Sequence, residues 1–429
     1  MGPFSKKQCR ATWKSAAVYL LTVLKWGIAA IAVGAVCGLL GTLFHDAIDM
    51  FTRCRQANGV LVWFLPVAGL VTLLLYRLCR VDFGAGTNLI IRSVTTNEHI
   101  PVLLAPLIVV GTLLSHLFGA SVGREGAALQ LGGSLGHNIG ELFRFDEDDV
   151  RTMSMCGMAA CFSAMFGTPL AAAVFVLEVI TVGSLHYGAF LPCIAASYAA
   201  AGVSRVMGAK PMGYPLPAGT PLIGPGAAAQ VALLAALCAG VGILLCLALH
   251  GAGRVGEKLF KSPYLRIAAG GMAMALLVNL FGLKDFAGAG GHMIDRAVSG
   301  QAEPWAFLLK IALTALCVGA GFRGGEIVPT LFIGATFGCV AGPLLGLDAG
   351  FAAAMGMVTV FCSVVNCPIA TLFLAAELFS TANLGLFAIG IAVAFVLSGY
   401  FGLYSSQIIV FSKVKRTLRE GKRTLKEEL

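Results

Sequence analysis

Apolar runs over residues 16–43, 60–78, 102–118, 227–249 and 386–402 reach or approach the roughly 18–20 residues a helix needs to cross a bilayer. Lipid offers backbone amides no water to bond, so such runs must close their hydrogen bonds internally as helices. The 429-residue chain is 58% hydrophobic and 12% charged, with a mean hydropathy of +0.87. A soluble domain carries about 25% charged residues, so the chain is read as an all-α polytopic membrane protein. Segments 84–94, 127–135 and 330–338 are studded with glycine and about half a span long, the pattern of partial helices that line a cavity. Other glycines, such as Gly132-Gly133 and Gly240-Val241-Gly242, suit close packing of helices.

The formal charge of +9 concentrates at the ends, with Lys6, Lys7, Arg10 and Lys14 before the first run and Lys413, Lys415, Arg416, Arg419, Lys422, Arg423 and Lys426 after the last. Basic flanks stay in the cytoplasm, which places both termini there in a cell membrane and leaves no need for a nucleic-acid partner. The first run lacks a small-residue cleavage site and reads as a retained span. Thirteen cysteines sit in apolar segments without CxxC or Cys/His ligand spacing, so neither disulfides nor a metal site are indicated. HExxH and the Walker GxxxxGK[ST] pattern are missing, as is any HxxxH pair among the seven histidines. An enzyme is therefore not expected, and no cofactor is implied.

Two halves repeat. Asp82-Phe83-Gly84-Ala85-Gly86 is echoed, with one inserted residue, by Asp285-Phe286-Ala287-Gly288-Ala289-Gly290. Gly157, Met158, Phe162, Pro169, Ala171 and Glu178 match Gly356, Met357, Phe361, Pro368, Ala370 and Glu377 at a constant offset. The resulting division is a cytoplasmic N-terminus at 1–15, a first membrane repeat at 16–207, a proline-crowded linker at 208–226 and a second repeat at 227–402. A final helix with a basic cytoplasmic tail is expected at 403–429. Pro169 and Pro368 suit the first turn of a helix, and Glu178 and Glu377, nine residues on, read as carboxylates bracing neighbouring helices.

The stretch Ser121-Val122-Gly123-Arg124-Glu125-Gly126-Ala127 opens a helical pattern and puts a carboxylate inside the membrane. A helix start carries orphan amides and about half a positive charge, so Glu125 can occupy that place or yield it to a soluble anion. The alternative is an Arg124–Glu125 pair that merely neutralises itself. Gly324-Gly325-Glu326-Ile327-Val328-Pro329-Thr330 opens the corresponding segment of the second half. Glutamates thus stand at the starts of equivalent segments.

These motifs together resemble the CLC family of anion channels and proton-coupled anion exchangers. Gly123-Arg124-Glu125-Gly126 is similar to the family's GREGP motif, with Ala127 in place of proline. Gly324–Pro329 resembles its GxFxP segment, Gly84-Ala85-Gly86-Thr87-Asn88 its GSGIP segment, and Leu403-Tyr404-Ser405 the start of its last helix. The resemblance implies an inverted repeat of about eighteen full and partial helices in a homodimer, each subunit with its own anion pathway. It implies Glu125 as the gate that exchanges protons, with Glu326 a further candidate acid or simply a helix-start glutamate. Anion contacts would come from Gly123, Arg124, Gly126, Ala85, Gly86, Thr87, Asn88, Ile327, Val328, Pro329, Thr330 and the hydroxyl of Tyr404, with Tyr400 its competitor. Ala85 replaces the serine of chloride-selective members, and Asn88 and Gly325-Glu326 resemble the fluoride-exporting bacterial branch. Ala127 and Val328 depart from that branch, which tends to carry threonine there. Val179 stands where proton-coupled chloride exchangers place a second glutamate, which passive channels and the fluoride branch both lack. Chloride or fluoride, exchanger or channel, are both left open by the sequence.

Overall fold

Eight helices in each half of the chain appear in the same order, and the two sets pair one to one. The computed structural model describes residues 6–96, 98–215, 219–413 and 418–424. The first set is α1 (Lys6–Ala57), α2 (Leu65–Leu78), α3 (Thr87–Thr96), α4 (Leu104–Phe118), α5 (Glu125–Leu142), α6 (Glu147–Phe166), α7 (Pro169–Val179) and α8 (Phe190–Val206). The second is α9 (Pro225–Leu259), α10 (Pro263–Leu280), α11 (Gly291–Val298), α12 (Ala306–Ala320), α13 (Ile327–Leu344), α14 (Ala349–Val365), α15 (Pro368–Phe379) and α16 (Leu384–Leu397). Three short 3-10 helices complete the helical inventory of the described residues.

Among the described residues, six helical segments are long and apolar enough to cross a membrane. One side of α1 exposes Leu20, Leu24, Ile28 and Ile31 while Val33 and Cys37 are buried, the distribution of a helix packed on protein on one side and on lipid on the other. The lengths differ from the hydropathy reading. The runs at 102–118 and 386–402 give only α4, of 15 residues, and α16, of 14. Left-handed glycines at Gly119 (φ 89°) and Gly399 (φ 58°) end them. Of the segments expected to be short, 84–94 gives the 10-residue α3, whereas 127–135 and 330–338 lie in the 18-residue helices α5 and α13. The glycines and polar residues of α5 lower its hydropathy but face neighbouring helices, whereas α13 is apolar enough to cross a membrane. In α5, Gln130, Ser134 and His137 are all buried.

Glycine makes that burial possible at matching places in the two repeats. A Cβ on Gly132 would lie 2.1 Å from the Gly157 carbonyl oxygen, and one on Gly334 would lie 2.3 Å from that of Gly356. The α5–α6 and α13–α14 pairs therefore cross with backbones in contact. Gly242 packs as closely, against Ser363 Oγ, whereas Gly240 has open space.

The bracing expected of the duplicated glutamates is reciprocal. Glu178, near the end of α7, accepts hydrogen bonds from Ile369 N (3.2 Å) and Ala370 N (2.8 Å) in the first turn of α15. Glu377, near the end of α15, accepts from Leu170 N (3.1 Å) and Ala171 N (2.8 Å) in the first turn of α7. Each carboxylate supplies partners for amides that the helix ladder leaves open, next to the prolines at the helix starts.

The chain end departs from expectation. No helix forms among the described residues of 403–429; Ile408–Phe411 is a strand, parallel to Thr181–Val182 and antiparallel to Leu418–Thr424. The run Ile408-Ile409-Val410-Phe411 is β-branched and aromatic, and it finds a ready strand edge beyond α7. Residues 1–5, Lys415, Arg416 and Lys426 of the basic ends lie outside the described residues, as do 216–218 of the linker. The linker itself is narrower than 208–226, because α9 already begins at Pro225.

Replacing Glu178 by Ala strips two buried amides of a charged acceptor, a loss of about 1.5–3 kcal/mol per strong bond at most. Thermal unfolding in detergent should show Glu178→Ala and Glu377→Ala both lowering the midpoint by several degrees, with Glu178→Gln milder because one oxygen still accepts. Unchanged midpoints would show that water replaces the carboxylates without loss.

Candidate functional site

Helices α5 and α13 start inside the protein, and their leading residues pair directly. Gly123 N donates to Gly325 O (2.5 Å) and Gly325 N to Gly123 O (2.7 Å), an isolated antiparallel bridge. Both residues lie two positions before the first helical residue, so the bridge joins equivalent points of the repeats. Neither position has room for a side chain. A Cβ on Gly123 would sit 2.8 Å from Pro329 Cδ, and one on Gly325 would sit 2.4 Å from Gly126 N.

The acids at this junction are one residue out of step. Arg124 is the N-cap of α5 and Glu326 the N-cap of α13, so Glu326 corresponds to Arg124, while Glu125 corresponds to Ile327. Glu125 is 1% exposed, with Oε2 accepting from Arg124 N (3.0 Å) and Oε1 from Arg124 Nε (3.3 Å). Its carboxylate thus takes up one of the orphan donors of the helix start. Arg124 is shared rather than used up, because Nη1 also donates to Asp49 Oδ1 at 2.8 Å. Glu326 makes no side-chain cap bond, and its Oε2 lies 3.6 Å from where a Gly126 Cβ would stand.

Around α13 the free donors are few. Pro329 has no N–H, Thr330 N donates to Glu326 O (3.0 Å), and Thr330 Oγ1 donates to the same oxygen (2.8 Å). Ile327 and Val328 keep amides outside the helix ladder. At the start of α3, Ala85 N donates to Asp82 O and Ala85 O accepts from Arg323 Nη1 (3.2 Å), which leaves Ala85 no backbone donor for an anion. The Gly86 carbonyl caps α3 by accepting from Leu89 N, and Thr87 Oγ1 accepts from Gln130 Nε2 (3.1 Å). Asn88 Oδ1 accepts from Ser406 N (3.0 Å), so its amide protons are the part left to face other groups.

That last bond ties α3 to the turn carrying Tyr404. The turn is held from several sides: Leu403 N donates to Val364 O (2.8 Å), Gln407 Nε2 to Val179 O and Val365 O (both 2.9 Å), and Asn366 Nδ2 to Phe401 O (3.0 Å). Tyr404 is 2% exposed and its hydroxyl finds no partner among the described residues, whereas the Tyr400 hydroxyl donates to Ser412 Oγ (3.0 Å). Glu326 and Glu125 both lie close enough for their charges to act on the Tyr404 hydroxyl.

A cavity of about 340 Å³ opens beside the junction at the late turns of α1, lined among others by Asp49, Arg55, Arg124, Lys284, His292 and Val328. Glu125 and Tyr404, both buried, do not line it. Three cations unremarked in the sequence support the surrounding loops. Lys310, fully buried, donates to Phe286 O (3.1 Å) and Gly288 O (2.7 Å); Arg55 donates to His116 O (2.6 Å) and Ala287 O (3.2 Å); Arg323 donates to Ala85 O and Phe83 O. Irregular backbone inside a membrane needs such partners, and the arrangement also gathers positive charge near the helix starts.

The helix starts are paired, Glu125 sits on one of them and the Tyr404 hydroxyl is buried, and comparison with known proteins decides the family. The sequence pattern described as voltage gated chloride channel matches residues 67–399. The chain belongs to the CLC family. A chloride/fluoride channel protein of Pseudomonas syringae pv. tomato is 36% identical over 411 residues, 93% of this chain and 89% of that protein. An H(+)/Cl(-) exchange transporter, ClcA of Vibrio cholerae, is 26% identical over 428 residues, 91% and 89% of the two chains. Among solved structures, a CLC-type fluoride/proton antiporter superposes with a TM-score of 0.86 at 30% identity, covering 95% of this chain and 100% of its own. A slow cyanobacterial Cl-/H+ antiporter shares the fold, with a TM-score of 0.75 at 19% identity over 87% and 94% of the chains. The CLC family is one of channels and transporters, not of enzymes, and this member is a membrane protein.

The bridge makes a sharp contrast between glycines. Gly325→Ala should cost about 1–3 kcal/mol of stability by overpacking against backbone, seen as a lower unfolding midpoint and reduced monodisperse yield, while Gly240→Ala should leave both unchanged. Equal behaviour of the two variants would contradict the close approach.

Proposed function

We propose that the protein exchanges a halide for protons across the cell membrane, with fluoride carried at least as well as chloride. The observation that carries this reading is the Glu125 carboxylate, buried and bonded to Arg124 N at the start of α5. A carboxylate held there occupies the place of an anion. Protonation removes its charge and its claim on that donor, so a halide can replace it; deprotonation reverses the step. Proton and halide then use one place alternately, which is the logic of exchange. The exchangers among the relatives favour this over a passive channel.

The selectivity proposal rests on the donors. A small, strongly hydrated anion needs more donors to replace its water than a large one does. The Tyr404 hydroxyl, the Ile327 and Val328 amides and the Asn88 amide protons are the groups we assign to it, with Gly123, Gly126 and Pro329 shaping the junction. The resemblance to a chloride/fluoride channel protein and to a fluoride/proton antiporter supports the assignment. Glu326, beside Gly126 and without a cap bond of its own, is proposed as the second acid on the proton route. The basic N-terminal residues support cytoplasmic termini, with the Arg124 cavity then opening outward. Two subunits with independent pathways complete the proposal.

The test is flux into liposomes under an imposed pH gradient, comparing fluoride with chloride. Wild-type protein should accumulate fluoride against its gradient. Glu125→Gln should keep downhill fluoride flux yet lose pH-driven uptake by about tenfold or more, within the range of coupling between sites. Surviving pH-driven uptake in Glu125→Gln would remove Glu125 from the mechanism; chloride flux far above fluoride flux would overturn the selectivity alone.

A further inference from the structure

At the far end of α5 from Glu125, three side chains from two parts of the chain converge. His137 and Glu141 lie four residues apart on one face of α5, and His99 reaches them from the segment between α3 and α4. Glu141 Oε1 is 3.3 Å from His137 Nε2 and 3.1 Å from His99 Nδ1, and all three donor atoms lie within 4.8 Å of one another. We propose that His99, His137 and Glu141 form a binding site for a late first-row divalent metal ion of the Zn²⁺ class.

The spacing is that of ligands around one ion. Zinc–nitrogen and zinc–oxygen bonds of about 2.0–2.2 Å at tetrahedral angles separate ligand atoms by roughly 3.4 Å. Two edges of the triangle already match, and a rotation of the exposed His99 ring closes the third. Two imidazoles and one carboxylate suit Zn²⁺ and its neighbours rather than Mg²⁺ or Ca²⁺, which take oxygen ligands. Ile100 N donates to His137 Nε2 at 3.4 Å, a long bond to the one lone pair of that nitrogen, which an ion bound there would displace. His137 is itself buried on the rigid helix, while His99 and Glu141 are open to solvent, so an ion has access and water can complete its coordination. The nearby Glu98 is engaged by Arg92 (2.7 Å), which leaves Glu141 as the carboxylate for the metal.

Such an ion would clamp the end of the helix that begins with Glu125 to the segment following α3, the helix that begins with Thr87 and Asn88. It lies at the other end of α5 from the Arg124 cavity and is separate from the halide site.

The experiment uses the purified full chain in detergent, stripped with chelator and titrated with Zn²⁺ alone, read by metal content and by calorimetry. One Zn²⁺ per chain is expected. His99→Ala and Glu141→Gln should each weaken binding by more than about tenfold, while His186→Ala, at another exposed histidine, should not. A parallel readout is the unfolding midpoint, which Zn²⁺ should raise in wild type and not in His99→Ala. Co²⁺ in place of Zn²⁺ should give the visible bands of a low-coordinate site only in chains that keep all three ligands. Zinc uptake equal in wild type and His99→Ala, including none in either, would overturn the site and leave a plain histidine–glutamate hydrogen-bond cluster.

Discussion

A buried backbone amide must find a partner inside the protein, and the junction of Gly123 with Gly325 is where that requirement shapes everything near it. Two helices cannot begin in a membrane interior unless something closes their open ends. Here each start lends the other a donor and an acceptor, which settles Gly123 and Gly325 but leaves further amides unpaired. Glu125 covers one such donor from within the chain. The loops that deliver these helices are likewise irregular, and Lys310, Arg55 and Arg323 complete their carbonyls. An anion-seeking interior is the residue of this accounting.

The repeat supplies a nearly symmetric frame and then breaks it at one position. Arg124 and Glu326 occupy equivalent caps with opposite charge, and Glu125 faces an equivalent of Ile327. A symmetric site would present the same chemistry from both directions. The substitution of one residue pair gives one side an arginine shared between Glu125 and Asp49, and the other a glutamate without a cap bond. Direction across the membrane can therefore be encoded locally, while the packing glycines and the capping carboxylates keep their symmetry.

Much of this was legible in the residues. The offset linking Gly157 and Glu178 to Gly356 and Glu377 exposes the duplication, and two duplicated carboxylates beyond two prolines point to mutual bracing. Helix lengths were not legible, because hydropathy does not score where a helix stops: α5 is long but buried in protein, so nothing selects apolar character along it, whereas α4 and α16 are apolar yet stop at glycine. The strand at Ile408–Phe411 was hidden because its pairing partner, Thr181–Val182, lies far back in the chain. Long-range contacts also conceal the roles of Asn88 toward Ser406, of Gln407 toward Val179 and Val365, and of the three buried cations. His99 likewise reaches His137 and Glu141 from a different segment, which leaves no local spacing in the sequence.

The crossed carboxylates of α7 and α15 impose an order on biosynthesis. Leu170 and Ala171 leave the ribosome more than two hundred residues before Glu377 (sequence separations of 207 and 206). At about 5–20 residues per second, α7 waits on the order of 10–40 s for its acceptor. The start of α15, by contrast, emerges when Glu178 is already in place. Until then the amides of Leu170 and Ala171 must take other partners, so the first turn of α7 reaches its final bonding only after the second half is made.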